Sequence, residues 1–340
     1  MSIPVFRSYI RRKDMDTVLN CLVTDSVGPG EYLDRFQKAA REALGYDFGF
    51  ALRGPSIALG LALDSLGLGE GDPVAVPALA PAYYADVLAS RRLVPVLVDA
   101  LADTAEADLA AVEALEPRPK ALILHEALGI LPDPELVARV GIPVIEDMSN
   151  AIGAYRGESR AGSLGRIAIM GLEHDSIVTS GGGALLLAFG RREGQVLRNL
   201  AEAIVPEIRM TDYNAALALA QLRDMEGAIA RRRELAALFA QSLARTRHRL
   251  LTQGGEGEPG YWAFPVSVAS SVKDLRAYAK KKDVETELAF EGSLLAKTTV
   301  PEDSCPNARS MVLRCLLFPL HQRIGATAAE KISKVLATLP

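Results

Sequence analysis

The sequence is short of cysteine, of basic charge, of long apolar runs and, over a wide central span, of lysine. Three cysteines in 340 residues, Cys21, Cys305 and Cys315, share no metal-ligand spacing. Their odd number excludes a complete disulfide framework. Mostly buried thiols in a reducing compartment are the expectation, with no metal centre. Lysine and arginine together number 38 against 42 aspartates and glutamates, a formal net charge of −4, and the isoelectric point is near 5.7. A general nucleic-acid binder carries a basic face, so that class is excluded. No apolar stretch reaches the ~18 residues of a membrane span, and MSIPVFRSYIRRKD lacks the apolar centre of a secretion signal. A soluble, cytoplasmic protein is the expectation. No lysine occurs between Lys120 and Lys273, which excludes chemistry needing a lysine amine in that span.

What is there is ordinary globular material, 49% apolar and 24% charged, enough for a large core. A Gly-Pro-Gly turn at 28–30 opens a helix pattern with Leu33, Phe36, Ala40 and Ala43 on one stripe. Short β-rich runs at 74–76, 94–98, 121–125 and 144–147 then alternate with helical segments such as 83–91 and 134–139. That alternation predicts a mostly parallel sheet covered on both faces, with a ligand site outside the carboxyl ends of its strands. Residues 191–203 and 212–243 read as helices. A smaller α/β unit follows, with strands at 262–268 and 312–318 and helices at 272–282 and 326–339. The Gly-rich stretch 252–260 is the best linker candidate. The arginines 231–233 and lysines 280–282 read as solvated helix faces.

One stretch organises the rest: IAIMGLEHDSIVTSGGGALLL, residues 167–187. It predicts a strand at 167–170, a polar loop, three glycines where the backbone takes positive φ or a close approach, and a second strand at 184–187.

This loop resembles the lysine loop of the DegT-type sugar aminotransferases, pyridoxal phosphate (PLP) enzymes of nucleotide-sugar biosynthesis. The likeness runs along nearly the whole chain, through VGPGEYLDRFQKAAREALG, LGLGEGDPVAVPAL, VPVLVDA, KALILHEALG, PVIEDMSNAIGA, RMTDYNAALALAQL and LLFPLHQRI. It implies a PLP-dependent transferase of fold type I. The expected architecture is a large α/β domain with a mixed seven-stranded sheet over 1–240, the N-terminal arm 1–30 included, and a smaller C-terminal α/β domain over 241–340. A homodimer with the cofactor site near the interface is implied too.

Carried onto these residues, the resemblance sets Asp147 opposite the pyridine nitrogen, with His125 and Asn150 as further cofactor contacts. The family's Ser-Gly-Thr phosphate cup reads Arg53-Gly54-Pro55. Gly54, Ser56 and the helix start are left to hold an anion, while proline removes one donor. The ring-stacking position falls on Ala80 and Pro81, with Tyr83 or Tyr84 as substitutes. The family's Gly-Tyr-Asn, which helps the phosphate from the partner subunit, reads Val205-Pro206-Glu207, and a glutamate there repels a phosphate. Counting back from Gly182-Gly183, the lysine of the internal aldimine falls on Asp175, with His174 beside it.

The residues have plainer readings too: Asp147 as the cap of the following turn, His125 as a satisfied core residue, and Glu146 and Asp147 on opposite faces of one strand. Two functions are expected from these residues. The first is a sugar aminotransferase-like protein, impaired or repurposed through Asp175, that binds a nucleotide sugar or another anionic small molecule. No cofactor would be covalently bound, and free PLP or pyridoxamine phosphate (PMP) stays open. The alternative is a PMP-dependent keto-sugar dehydratase or transaminase-like enzyme with His174 as its base, since histidine trades protons near neutral pH.

Overall fold

The computed structural model describes residues 2–25, 27–203, 205–301 and 303–340. An extended N-terminal stretch leads to α1 (Arg12–Val23), and the 28–30 turn leads into α2 (Glu31–Leu44). Leu33, Phe36 and Ala40 bury one stripe of α2 as their spacing predicts, while Ala43 is exposed. There follow β1 (Phe48–Leu52), α3 (Pro55–Ser65), β2 (Pro73–Pro77), α4 (Tyr83–Ser90), β3 (Val94–Val98), β4 (Ala121–His125), α5 (Pro134–Arg139) and β5 (Val144–Asp147). A short hairpin of β6 (Tyr155–Arg156) and β7 (Ser159–Arg160) precedes β8 (Ile167–Gly171) and β9 (Ala184–Ala188).

Seven of these strands form one sheet in the order β1-β9-β8-β5-β4-β2-β3. The five from β8 to β3 run parallel, and β9 is antiparallel to both of its neighbours. β8, β9, β4 and β5 are buried along their whole length. Their continuous apolar runs follow from that, because helices cover both faces and neither face needs polar residues. One face packs Ile123, Ile145, Ile169 and Leu186 against α3 and α4. The other packs Ala168, Met170, Leu185 and Leu187 against α2 and the later helix carrying Ala215, Ala218 and Leu219.

The second half of the chain contains α6 (Arg191–Glu202), α7 (Asp212–Leu222), α8 (Met225–Leu243), β10 (Arg249–Leu250), β11 (Gly257–Glu258), β12 (Phe264–Ser267), α9 (Val272–Lys281), β13 (Glu287–Leu288), α10 (Leu294–Lys297), α11 (Pro306–Arg314), β14 (Cys315–Phe318) and α12 (Ala326–Ala337). An antiparallel sheet, β10-β12-β14-β13, packs on α8, α9 and α12 through Phe239, Phe264, Phe318 and Ile332. Each such side chain, fully buried, stabilises the fold by roughly 1.5–3 kcal/mol.

Four expectations are corrected here. The span 212–243 is two helices, because the chain turns at Arg223 and Asp224. Residues 312–314 finish α11, and the strand begins only at Cys315. The stretch 252–260 is no free linker: β11 pairs with β6, and Gly260 N donates to Gly129 O at 2.7 Å. The arginines of α8 are tethers rather than a solvated face. Arg231 donates to Ile324 O, Arg232 is buried, and Arg233 pairs with Glu258 at 2.6 Å. Among the described residues, no helix is long and apolar enough to cross a membrane.

Candidate functional site

β4 and β5 lie side by side with His125 level with Asp147, so both side chains emerge at the carboxyl end of the parallel sheet on one face. They line a cavity of about 290 Å³ whose other walls include Tyr83, Glu173, Asp175 and Trp262. The far wall, residues 289–293, comes from the segment after β13.

The turn after β5 fixes Asp147. Its Oδ1 accepts the Ser149 N–H at 3.0 Å and also the Ser149 hydroxyl. Ser149 Oγ in turn accepts the Gly171 N–H at 2.7 Å, tying β5 to β8. The Tyr84 hydroxyl donates to Asp147 Oδ2, and His125 Nδ1 stands 3.6 Å from the same oxygen. Burial alone would raise the Asp147 carboxyl. The neighbouring His125 ring, Ser149 and Tyr84 outweigh it and hold the group below its usual range. Burial first, then the Asp147 charge, pushes the Tyr84 phenol well up, so it remains a donor. Asp147 is therefore both the cap of its turn and a cavity wall. Glu146 points the other way and accepts the N–H groups of Gly162, Leu164 and Gly165 at 2.6–2.7 Å.

The loop bearing Glu173, His174 and Asp175 is closed at its neck by Leu172, whose carbonyl accepts Ser180 N and Gly182 N at 3.0 and 3.1 Å. Gly181, Gly182 and Gly183 have φ of 76°, 142° and 124°. A Cβ on Gly183 would also stand 2.4 Å from Met210 Cε. The run of glycines is thus required by the backbone.

Of the residues expected at a site, His125, Asp147, Asn150 and Asp175 meet around the cavity. His174 is exposed and does not line the cavity, and its carbonyl accepts the Ser8 hydroxyl at 2.8 Å. Gly54 is the N-cap of α3 and Ser56 lies exposed in its first turn. Neither lines the cavity, whereas Pro55 between them does. Arg53 and Glu207 are exposed. Tyr83 lines the cavity while Tyr84 is fully buried behind it. Sequence reasoning missed Glu173, Trp262 and the 289–293 wall. Glu173 lies in the loop already singled out and Trp262 is the chain's one tryptophan. Nothing local marks 289–293.

Three carboxylates, Asp147, Glu173 and Asp175, line the cavity, and among the described lining residues there is no lysine or arginine. Arg232 lies close enough to Asp175 to feel its charge. Its guanidinium already donates to the carbonyls of Tyr261, Trp262 and Leu320 at 3.0, 2.7 and 2.6 Å. His125 Nδ1 and Trp262 Nε1 are closed to solvent, and neither has a hydrogen-bond partner among the described residues.

The model of the DegT/DnrJ/EryC1/StrS aminotransferase family matches residues 8–339. A GDP-perosamine synthase of Caulobacter vibrioides is 31% identical over 284 residues, covering 77% of this chain and 76% of that protein. A putative sugar aminotransferase of Streptococcus pneumoniae, Spr1654 in its PLP form, superposes with a TM-score of 0.91 at 19% identity, covering 100% of this chain and 98% of that one. The E. coli GDP-4-keto-6-deoxy-D-mannose-3-dehydratase with bound hydrated PLP does so with a TM-score of 0.88 at 18% identity, covering 99% of each chain. At these identities the two structures speak for the fold alone.

Proposed function

This chain belongs to the DegT/DnrJ/EryC1/StrS aminotransferase family, and we propose that it keeps the family's scaffold while having given up covalent cofactor chemistry. The observation that carries the reading is Asp175 on the wall of a cavity lined by no lysine. A PLP enzyme needs an amine for the imine, donors or cations for the phosphate, and a carboxylate facing the pyridine nitrogen. Here the amine is replaced by an acid. The cavity-lining residue at the start of α3 is Pro55, which has no N–H to give a phosphate. Asp147 is present, held by Tyr84 and Ser149 with acceptor sites to spare, so it is the one of the three requirements that is met. With no amine for the imine and no N–H from Pro55 for the phosphate, these residues do not fit the cofactor.

The relatives named for GDP-perosamine synthesis support a nucleotide sugar as the ligand class. We take the protein to be a repurposed, homodimeric member of the family that binds such a molecule without transferring its amine. The alternative with His174 as a base has no geometric support, since that side chain is exposed and off the cavity wall.

Titration with PLP and with PMP, followed by visible absorbance, tests the reading. Borohydride reduction and intact mass complete the experiment. No coloured stoichiometric complex and no pyridoxyl adduct are expected. A 1:1 coloured complex, or an adduct on any lysine, would overturn it.

A further inference from the structure

One wall of the cavity is a tight turn, and a buried acid stands at its root. Glu126 follows β4, and the next two residues, Ala127 and Leu128, line the cavity. We infer that Glu126 is a proton-held latch: its protonated side chain keeps the 126–130 turn packed as a cavity wall, and loss of that proton to solvent releases the turn. Such a latch works whether or not a ligand enters the cavity, so it goes beyond the reading above.

The surroundings of the carboxyl group set its state. Glu126 is 1% exposed. Both of its oxygens are closed to solvent, and neither has a hydrogen-bond partner among the described residues. A bare carboxylate in such a place is costly, and the group takes up a proton instead. Burial first, then Glu146 and Asp147 on β5, push it further that way. Glu146 offers no donor, since it already accepts the N–H groups of Gly162, Leu164 and Gly165. His125, the neighbour on β4, stands by Asp147. From beyond α2, Tyr46 feels the Glu126 charge, but its hydroxyl donates to Gly162 O at 2.6 Å. Tyr261 turns its backbone towards Gly129, while its phenol feels Glu258 and Arg233.

The turn supplies the moving part. Leu128 has a φ of 60°, a left-handed conformation that residues with a Cβ seldom adopt. Gly129 follows at 79°, wedged where a Cβ would stand 2.8 Å from Asn150 O and 3.2 Å from Tyr261 N. Strained backbone persists only where its surroundings hold it. Here Glu126 N donates to Asp147 O at 3.1 Å, Gly129 N to Glu126 O at 3.3 Å, and Gly260 N to Gly129 O at 2.7 Å. Two of these three bonds pass through Glu126 itself. An ionised Glu126 is repelled by Glu146 and Asp147, and it reaches water only if its segment moves outward. β4 is pinned between β2 and β5, so the turn is what yields. Ala127, Leu128 and Ile130 then leave the cluster they form with Val5 and Phe290, and the cavity loses that wall.

Hydrogen–deuterium exchange of the full chain at pH 6 and pH 9, read by mass spectrometry, tests this. Glu126→Gln and Glu126→Met serve as variants with no ionisable group at the latch. Each exchange rate is divided by the intrinsic rate at the same pH. In the wild type, corrected exchange over 127–130 should rise at least about tenfold between the two pH values, the effect of one decade in proton affinity. β4 and β5 should stay protected, and neither variant should show the rise. Emission of Trp262, which packs against the same cluster, should shift to the red over that interval in the wild type only. A flat wild-type response, an equal rise in the variants, or a rise spread evenly over β4 and β5 would each overturn the inference. Should neither variant fold, the wild type decides alone, through the contrast between the turn and its two strands.

Discussion

Glu126 and Glu146 bring two carboxyl groups together inside the protein, and only one of them has donors. Glu146 accepts three backbone N–H groups, whereas neither oxygen of Glu126 has a partner among the described residues. Burial first, then the charges of Glu146 and Asp147, pushes the Glu126 carboxyl well above its ordinary range. The folded chain therefore holds this proton to higher pH than the unfolded chain does. In the unfolded chain Glu126 ionises near the ordinary carboxylate value, so between the two values the folded state binds more protons. Stability must fall as pH rises through that window, and the penalty vanishes below the ordinary value, where both states are protonated. Glu126→Gln removes the ionisation that burial opposes, so it is expected to stabilise the protein at pH 8 by at least ~1.4 kcal/mol, the worth of one decade in proton affinity. The gain should close towards pH 4, and melting temperatures across pH would measure it. Asp147 and Glu146 are legible in the sequence, since a carboxylate pair ending a strand must split between two faces. Glu126 is not, because its isolation depends on where the chain passes after β4.

The helices following the large sheet show how the elements are joined. Sequence spacing alone carries the apolar pattern from Asp212 across to Leu243, and nothing in it forces the break between α7 and α8. The break is held from elsewhere: Arg11 pairs with Asp224 at the turn, and Gln221 donates to Asp14 at 2.9 Å. Asp212 starts α7 and also caps α2, its carboxylate taking the N–H groups of Gly30, Tyr32 and Leu33 at 2.9–3.2 Å. Those amides have no partner inside their own helix. Asp212→Ala should therefore lower stability by about 1–2 kcal/mol, with faster amide exchange confined to the first turn of α2. Along α8, Arg232 holds the carbonyls of Tyr261, Trp262 and Leu320. Hydrogen bonds to a charged group are worth about 1.5–3 kcal/mol, so Arg232→Met is expected to destabilise by that order in chemical denaturation. Three consecutive arginines in a helix read as solvent-facing from charge alone. Their tethering depends on loops that reach α8 only in the folded chain.

At the scale of the whole molecule, the cavity lies where the large sheet meets the segment after β13, and the N-terminal stretch straps the two together. Ile3 bridges to Val284 beside the small sheet, and Val5 is buried. Phe6 packs on Trp262 with ring centroids 4.6 Å apart. Ser8 then holds the loop of Asp175 through His174 O, and Tyr9 O accepts from Gln221 at 3.1 Å. The large sheet was legible, because continuous apolar runs at regular intervals leave few other arrangements. The strap and the far cavity wall were not, since no periodicity says which loops meet across the fold. The strap makes the chain's one tryptophan a reporter on the cavity. Phe6→Ala removes the ring that covers one face of Trp262, leaving the indole wetter and its wall less fixed. Red-shifted emission is expected, with a loss of roughly 1–2 kcal/mol, the worth of an aromatic pair plus part of its buried area. The opposing outcome is unchanged emission with unchanged stability. That would mean Phe6 merely lies beside Trp262, and the strap would have no part in shaping the cavity.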